Sequence, residues 1–180
     1  MTTPLSPGPT PDLPPEVPDA QAFRRVVGRY VTGVTVVTTV AGGLDHAMTA
    51  NSFTSVSLDP LLVLVCVERD SRFHEAVVDA GRWGVSILAA PARRHARWFA
   101  TRGRPLVGQF AQVPHHRGST GVALLDESVA TLECATEAVY ESGDHDILVG
   151  RVLSLSPVNP RAVPLVYYAS GYHVLDEPGR

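Results

Sequence analysis

The chain has 180 residues and a mass of 19.3 kDa, which is one domain's worth, or a compact domain with a tail. With 44% hydrophobic residues, 18% charged residues and a net charge of −3, it is neither disordered nor collagenous. It has no electrostatic footprint for nucleic acid or an anionic membrane, and no apolar run nears the ~18 residues that span a bilayer.

Met1 to Pro18 carries Pro4, Pro7, Pro9, Pro11, Pro14, Pro15 and Pro18, which excludes a helix interior or a central strand. Residues 1–18 therefore read as a mobile arm and 19–176 as the folded domain. The N-terminus lacks the cationic start and apolar stretch of a secretory signal, so the expected location is the cytoplasm. Asp19 is a plausible N-cap, and Phe23, Val26, Val27 and Tyr30 follow at helical spacing. The period then changes. Val34 to Val40 is rich in β-branched residues, Gly42-Gly43 supplies a hairpin turn, and His46 to Phe53 reads as the returning strand. After Asp59-Pro60, Leu61 to Val67 is apolar on both faces, as a central buried strand would be.

Ser71 to Ala80 fits a short helix stopped by Gly81, Trp83 to Leu88 a strand, and Pro91 the first turn of a helix running to about Thr101. Arg102 to Ser128 has no clear period and reads as a long loop. Val129 to Glu141 and Asp146 to Leu155 read as two long strands joined at Gly143-Asp144, and Pro164 to Leu175 as a last hairpin across Ser170-Gly171. Many short strands, three short helices and no βαβ alternation predict a closed antiparallel barrel with helical decoration. No G-x-G-x-x-G follows a predicted strand, which closes the Rossmann route to a dinucleotide.

All 15 basic residues are Arg. Any phosphate must therefore be held by guanidinium, hydroxyl or backbone N–H groups. Three stretches could carry chemistry. Ala47 to Pro60 offers five Ser/Thr hydroxyls and the Asn51 carboxamide, which suit a neutral polar ring or a phosphate; the same composition also serves a polar outer face with a capped turn. Val67 to Arg72 combines a helix start with Ser71 and Arg72, a phosphate site or an ordinary N-cap. Ser142 to Asp146 presents His145 between two carboxylates on a turn, either to a ligand or simply to solvent. No metal-ligand spacing and no G-x-S-x-G elbow is present. Cys66 and Cys134 read as small core residues, and neither belongs to a disulfide framework or a zinc pattern.

Taken in order, Gly33-Val34-Thr35-Val36-Val37-Thr38-Thr39, Met48-Thr49-Ala50-Asn51-Ser52-Phe53, Ser55-Val56-Ser57-Leu58-Asp59-Pro60, Gly143-Asp144-His145 with Val149-Gly150-Arg151-Val152, and Pro164-Leu165-Val166-Tyr167-Tyr168 resemble the flavin reductase family. The likeness runs from about Ala22 to Leu175. It implies a mainly-β, antiparallel Greek-key split barrel with short flanking helices, acting as an NADH-dependent reductase of FAD or FMN by hydride transfer to flavin N5. It implies a homodimer that supplies reduced flavin to a partner monooxygenase, in a natural-product (antibiotic) pathway; the charge balance adds the expectation of no nucleic acid or membrane partner.

By the same resemblance, Thr49, Ala50, Asn51 and Ser52 line the isoalloxazine ring, and Gly33 is among the cofactor-binding residues. Ser55, Val56, Ser57, Cys66, Ser71 and Arg72 serve the ribityl chain and phosphate. Phe99 and Tyr172 border the flavin, and His145 lies beside the nicotinamide. Gln109 stands where the family commonly has a basic residue, and Ala169-Ser170 lacks its usual Arg; both favour NADH over NADPH. The alternatives are a flavin-storage or flavin-sensing split barrel and an unrelated barrel for an apolar ligand.

Overall fold

The computed structural model describes residues 18–157, 159 and 161–175. Apart from Pro18, the proline-rich arm lies outside the described residues. Helix α1 (Ala20–Val27) is capped by Asp19, whose carboxylate accepts from Ala22 N–H. Two short strands and a hairpin follow: β1 (Thr32–Gly33), then β2 (Thr35–Ala41) and β3 (Leu44–Ala50) joined at Gly42-Gly43, both at positive φ. Next come β4 (Thr54–Leu58) and β5 (Leu61–Glu68), α2 (Arg72–Ala80) and β6 (Arg82–Leu88). A 3-10 turn at Ala90–Ala92 leads into α3 (Arg93–Ala100). The chain closes with β7 (His115–Arg117), β8 (Ala123–Leu125), β9 (Ser128–Ser142), β10 (His145–Pro157), β11 (Leu165–Tyr168) and β12 (Gly171–Val174). Among the described residues no helix is long and apolar enough to cross a membrane.

Seven strands form one antiparallel sheet in the order β3-β2-β6-β9-β10-β5-β4. Its two outer strands are consecutive in the chain, separated by Asn51, Ser52 and Phe53. Four residue steps reach about 14 Å, whereas the edges of a flat seven-stranded sheet lie about 29 Å apart. The sheet must therefore curl until its edges meet. They meet without a β3–β4 backbone ladder, and the Ser52 hydroxyl, bonded to Cys66 N–H at 3.0 Å, bridges the seam. This is a split barrel, as the family resemblance implies; the closed antiparallel barrel read from the strand pattern stays open at this seam. The small sheet β1-β11-β12 lies beside it.

Alternation on β2 explains the two cores: Val36 faces one and Val37 the other. Inside the barrel, Val37, Val65, Val67, Val85 and Leu148 pack with Trp83 and with Phe73 and Val77 of α2, so α2 plugs the barrel. Ser71 caps α2 by accepting from His74 N–H, and Gly81 ends it in the left-handed region at φ 62°. Outside the barrel, Val36, Ala47 and Leu88 pack with Ala96 and Phe99 of α3 and with Phe110 and Leu125. On β5 only Val63, Val65 and Val67 are buried, while Leu62, Leu64 and Cys66 are half-buried. The strand is thus apolar on both faces but enclosed on one within this chain.

Candidate functional site

A cleft of about 530 Å³ opens at the seam, within the size range of small-molecule sites. Its walls are the end of β3, the end of β5 with the start of α2, the end of α3 with residues 101–104, and His145 at the β9–β10 turn. Thr49, Ala50, Asn51, Ser52, Cys66, Ser71, Arg72, Phe99 and His145, remote in sequence, all line it. The antiparallel register explains part of this convergence, since His145 pairs with Glu68 across β10 and β5.

Five expected residues lie elsewhere. β4 runs from the seam toward Leu61, the end of β5 opposite the cleft, and takes Ser55, Val56 and Ser57 with it. Ser55 and Val56 are exposed, and the Ser57 hydroxyl accepts from Asp59 N–H at 3.2 Å. Gly33 pairs with Val166 in the small sheet. Tyr172 packs edge-on against Tyr167 with ring centroids 5.5 Å apart, and its carbonyl accepts from Arg93. None of the five lines the cleft within one chain.

The hydroxyls of the β3 segment are largely committed to the fold. Thr49 donates to the Ala96 carbonyl at 2.7 Å, tying β3 to α3, and Ser52 is engaged with Cys66. The exposed Asn51 carboxamide has no partner among the described residues, and neither do the backbone N–H groups of Asn51 and Ser52. These are the polar groups the seam offers to a ligand's edge. Phe99, Ala50 and Met48 supply apolar contact area. His145 is bonded through Nδ1 to the Asp144 carboxylate at 2.7 Å, leaving Nε2 without a partner among the described residues. One residue on, buried Asp146 accepts from His74 Nε2 at 2.6 Å, fixing α2 against β10 beside the site.

Sequence reading missed the cations delivered by the segment after α3. Arg102 grips Glu68 with one nitrogen 2.6 and 2.7 Å from its two oxygens, bridging the cleft mouth. Arg104 donates to the carbonyls of Phe99 at 2.9 Å, Thr101 at 3.1 Å and Ala47, and to the Gln109 side chain at 3.1 Å. It also lies over the Phe99 ring, 5.4 Å from the centroid. Burial first and the nearby Arg72 charge second bring its pKa down to about 10, so it remains a cation at neutral pH. Gln109 occupies the position where a basic residue was expected, and Arg104 brings the positive charge to it from five residues away. The only available signal was Arg102-Gly103-Arg104 inside an aperiodic stretch.

The donor set fits a flat ring system with a polar edge and an anionic tail: unpaired amides and a carboxamide at the seam, apolar area beside them, and guanidinium groups beyond. Among the described residues no group of three His, Cys, Asp or Glu side chains is placed to hold a metal ion.

Comparison with known proteins is consistent with this geometry. Residues 27–176 match the family described as flavin reductase like domain. An NADH-dependent FAD reductase of Streptomyces globisporus is 46% identical over 138 residues, covering 76% of this chain and 75% of that protein. The NADH-dependent FMN reductase AsuE2 of Streptomyces nodosus subsp. asukaensis is 37% identical over 162 residues, 89% of this chain and 88% of its own. Among solved structures, BorF, the flavin reductase component of a bacterial two-component tryptophan halogenase, superposes with a TM-score of 0.83 at 44% identity over 88% of this chain and 99% of that one. The NADH:FAD oxidoreductase SgcE6 of Streptomyces globisporus C-1027, in complex with NAD and FAD fragments, gives 0.84 at 38% identity over 92% and 99%. With the family match spanning most of its length and a cleft suited to a flavin at its seam, this chain belongs to the flavin reductase like domain family.

Proposed function

We propose that this protein oxidises NADH and reduces a flavin nucleotide, FAD or FMN, which it passes to a separate flavin-dependent oxygenase. The observation that carries this reading is the seam cleft, where unpaired backbone amides, the Asn51 carboxamide and the aromatic face of Phe99 adjoin guanidinium charge. A bound flavin accepts the hydride and NADH supplies it, so the protein's task is orientation and electrostatics. The amides of Asn51 and Ser52 hold the polar edge of the ring, where donors stabilise negative charge. Phe99 and Ala50 exclude water from its flank. His145, aligned by Asp144, orients the nicotinamide through Nε2 and transfers no proton. Relatives named as NADH-dependent FAD and FMN reductases support both the donor and the acceptor.

A monooxygenase as recipient is supported by reductase subunits of flavin-dependent monooxygenases such as HsaB of Rhodococcus jostii, 34% identical over 157 residues. Streptomycete relatives, including the C-1027 protein, support a setting in antibiotic biosynthesis. Self-association as a homodimer is supported by the apolar side chains that β4, β5 and β10 leave exposed: Val56, Leu58, Leu61, Leu153 and Leu155. A cytoplasmic location follows from the need for NADH and agrees with the two free cysteines. The test is catalytic protein with NADH and FAD or FMN, followed at the nicotinamide absorbance band. Flavin-dependent loss of absorbance is expected, faster than with NADPH. Tightly retained yellow colour without NADH oxidation would instead mark a flavin-storage protein.

A further inference from the structure

Two walls of the cleft belong to different elements: the start of α2, with Ser71, Arg72 and Phe73, and the β9–β10 turn, with His145. Side chains alternate along β10, so His145 faces the cleft while Asp146 faces the barrel interior that α2 fills. There the buried Asp146 carboxylate accepts from His74 Nε2 at 2.6 Å, and His74 stands three residues beyond the Ser71 cap. The other oxygen, Oδ1, has no hydrogen-bond partner among the described residues and lies 3.6 Å from Arg69 Nε. Arg69 ties the same segments again, its N–H donating to the Asp144 carbonyl at 3.0 Å and its guanidinium to Glu141 at 3.3 Å. Neither His74 nor Asp146 lines the cleft. A carboxylate inside a barrel is costly, and a buried ion pair seldom stabilises a fold more than an apolar pair of equal volume. What the pair adds is direction. A 2.6 Å hydrogen bond fixes the rotation of α2 against β10, which an apolar contact leaves free to slide.

We propose that His74 and Asp146 are positioning residues, which set His145 relative to the start of α2 and so align the two molecules held in the cleft. The role rests on the flavin-reductase reading, in which His145 orients the nicotinamide against a flavin held by the other walls. Neither residue touches a reacting atom or moves a proton. Hydride transfer needs its reacting atoms about 3–3.5 Å apart, and an error near 1 Å costs up to about a hundredfold in rate. Loss of the pair therefore lowers kcat. Loss of His145 itself, which removes a binding contact, raises KM instead.

The experiment measures steady-state kcat and KM for NADH, with saturating FAD or FMN, in full-length variants whose folding is checked by melting temperature. His74→Gln keeps an N–H donor at the reach of Nε2, and its kcat is expected within about threefold of wild type. His74→Asn is too short to reach Asp146, and His74→Leu with Asp146→Ala puts apolar groups of similar total volume in place of the pair. Both are expected to lower kcat about tenfold or more with KM for NADH within about threefold, the double variant at an undiminished melting temperature. Wild-type kcat in folded His74→Asn or in the folded double variant overturns the positioning role, and so does a tenfold loss in His74→Gln. Should the double variant not fold, His74→Asn against His74→Gln decides the matter. Wild-type protein that oxidises no NADH with either flavin overturns the reductase reading itself, a separate failure seen before any variant is compared.

Discussion

Glu133 is a buried carboxylate of β9, 3% exposed, with no cation paired to it among the described residues. It accepts from Ser119 N–H and hydroxyl, both at 2.9 Å, from Thr120 N–H at 2.7 Å and the Thr120 hydroxyl, and from the Ser154 hydroxyl at 2.8 Å. Burial alone would raise its pKa, but the donors outweigh burial and hold it at about 2, against 4.5 for a free glutamate. That lowering corresponds to about 3 kcal/mol favouring the charged, folded form. Because the folded pKa is the lower one, that stability is fully present above about pH 4.5 and is lost as pH falls toward about 2. Glu133→Gln mimics the protonated side chain and, whichever way its amide turns, sets an –NH₂ against a backbone N–H that can only donate. It is expected to cost about 3 kcal/mol at pH 7, lowering Tm by roughly 6–12 °C. Urea unfolding of both proteins at pH 7, 5, 4 and 3 checks this, with the gap narrowing only below pH 5. A variant within about 1 kcal/mol of wild type at pH 7, or a gap independent of pH, would refute the reasoning.

Other outcomes follow from the same geometry. Gly150 lies under Trp83: a Cβ there would sit 2.2 Å from the indole Cζ2 and 3.0 Å from the Cys134 Cβ, so Gly150→Ala should destabilise the fold by about 3 kcal/mol or more in denaturant titration. Ser71→Ala removes the cap of α2 and should cost about 1 kcal/mol by the same measurement. His145→Ala should raise the KM for NADH about tenfold with little change in kcat or in riboflavin affinity, and an unchanged KM would remove His145 from the site. Leu58 is 87% exposed, and Leu58→Glu combined with Leu155→Glu should shift the particle mass in light scattering toward that of a single 19.3 kDa chain.

Where a local rule sufficed, the structure was legible in the chain. The Gly42-Gly43 hairpin, the Asp19 and Ser71 caps and the Gly81 stop each depend on one or two residues and their neighbours. The candidate residues of β3, α2 and the β9–β10 turn came from the family resemblance, and they line one cleft. The stretch 102–128 was not legible. Its hairpin of β7 and β8 has only three residues per strand, and its tip at 118–121 is organised by Glu133 from a distant strand. Arg104 was hidden for the same reason, since its role arises from carbonyls on β3 and α3 that no spacing rule connects to it. Ser55 to Ser57 lie outside this chain's cleft because of direction: the hydroxyls continue the run from Thr49, but the chain crosses the seam at Asn51 to Phe53 and β4 then leads away.

The central claim is electron transfer from NADH to a flavin in the seam cleft. Its most direct test is anaerobic: catalytic wild-type protein, NADH and an excess of FMN or FAD, recording both absorbance bands together. Equal molar loss of NADH and of oxidised flavin is predicted, with no loss in protein-free controls. Undiminished bands with both flavins, from protein that remains folded, would contradict it.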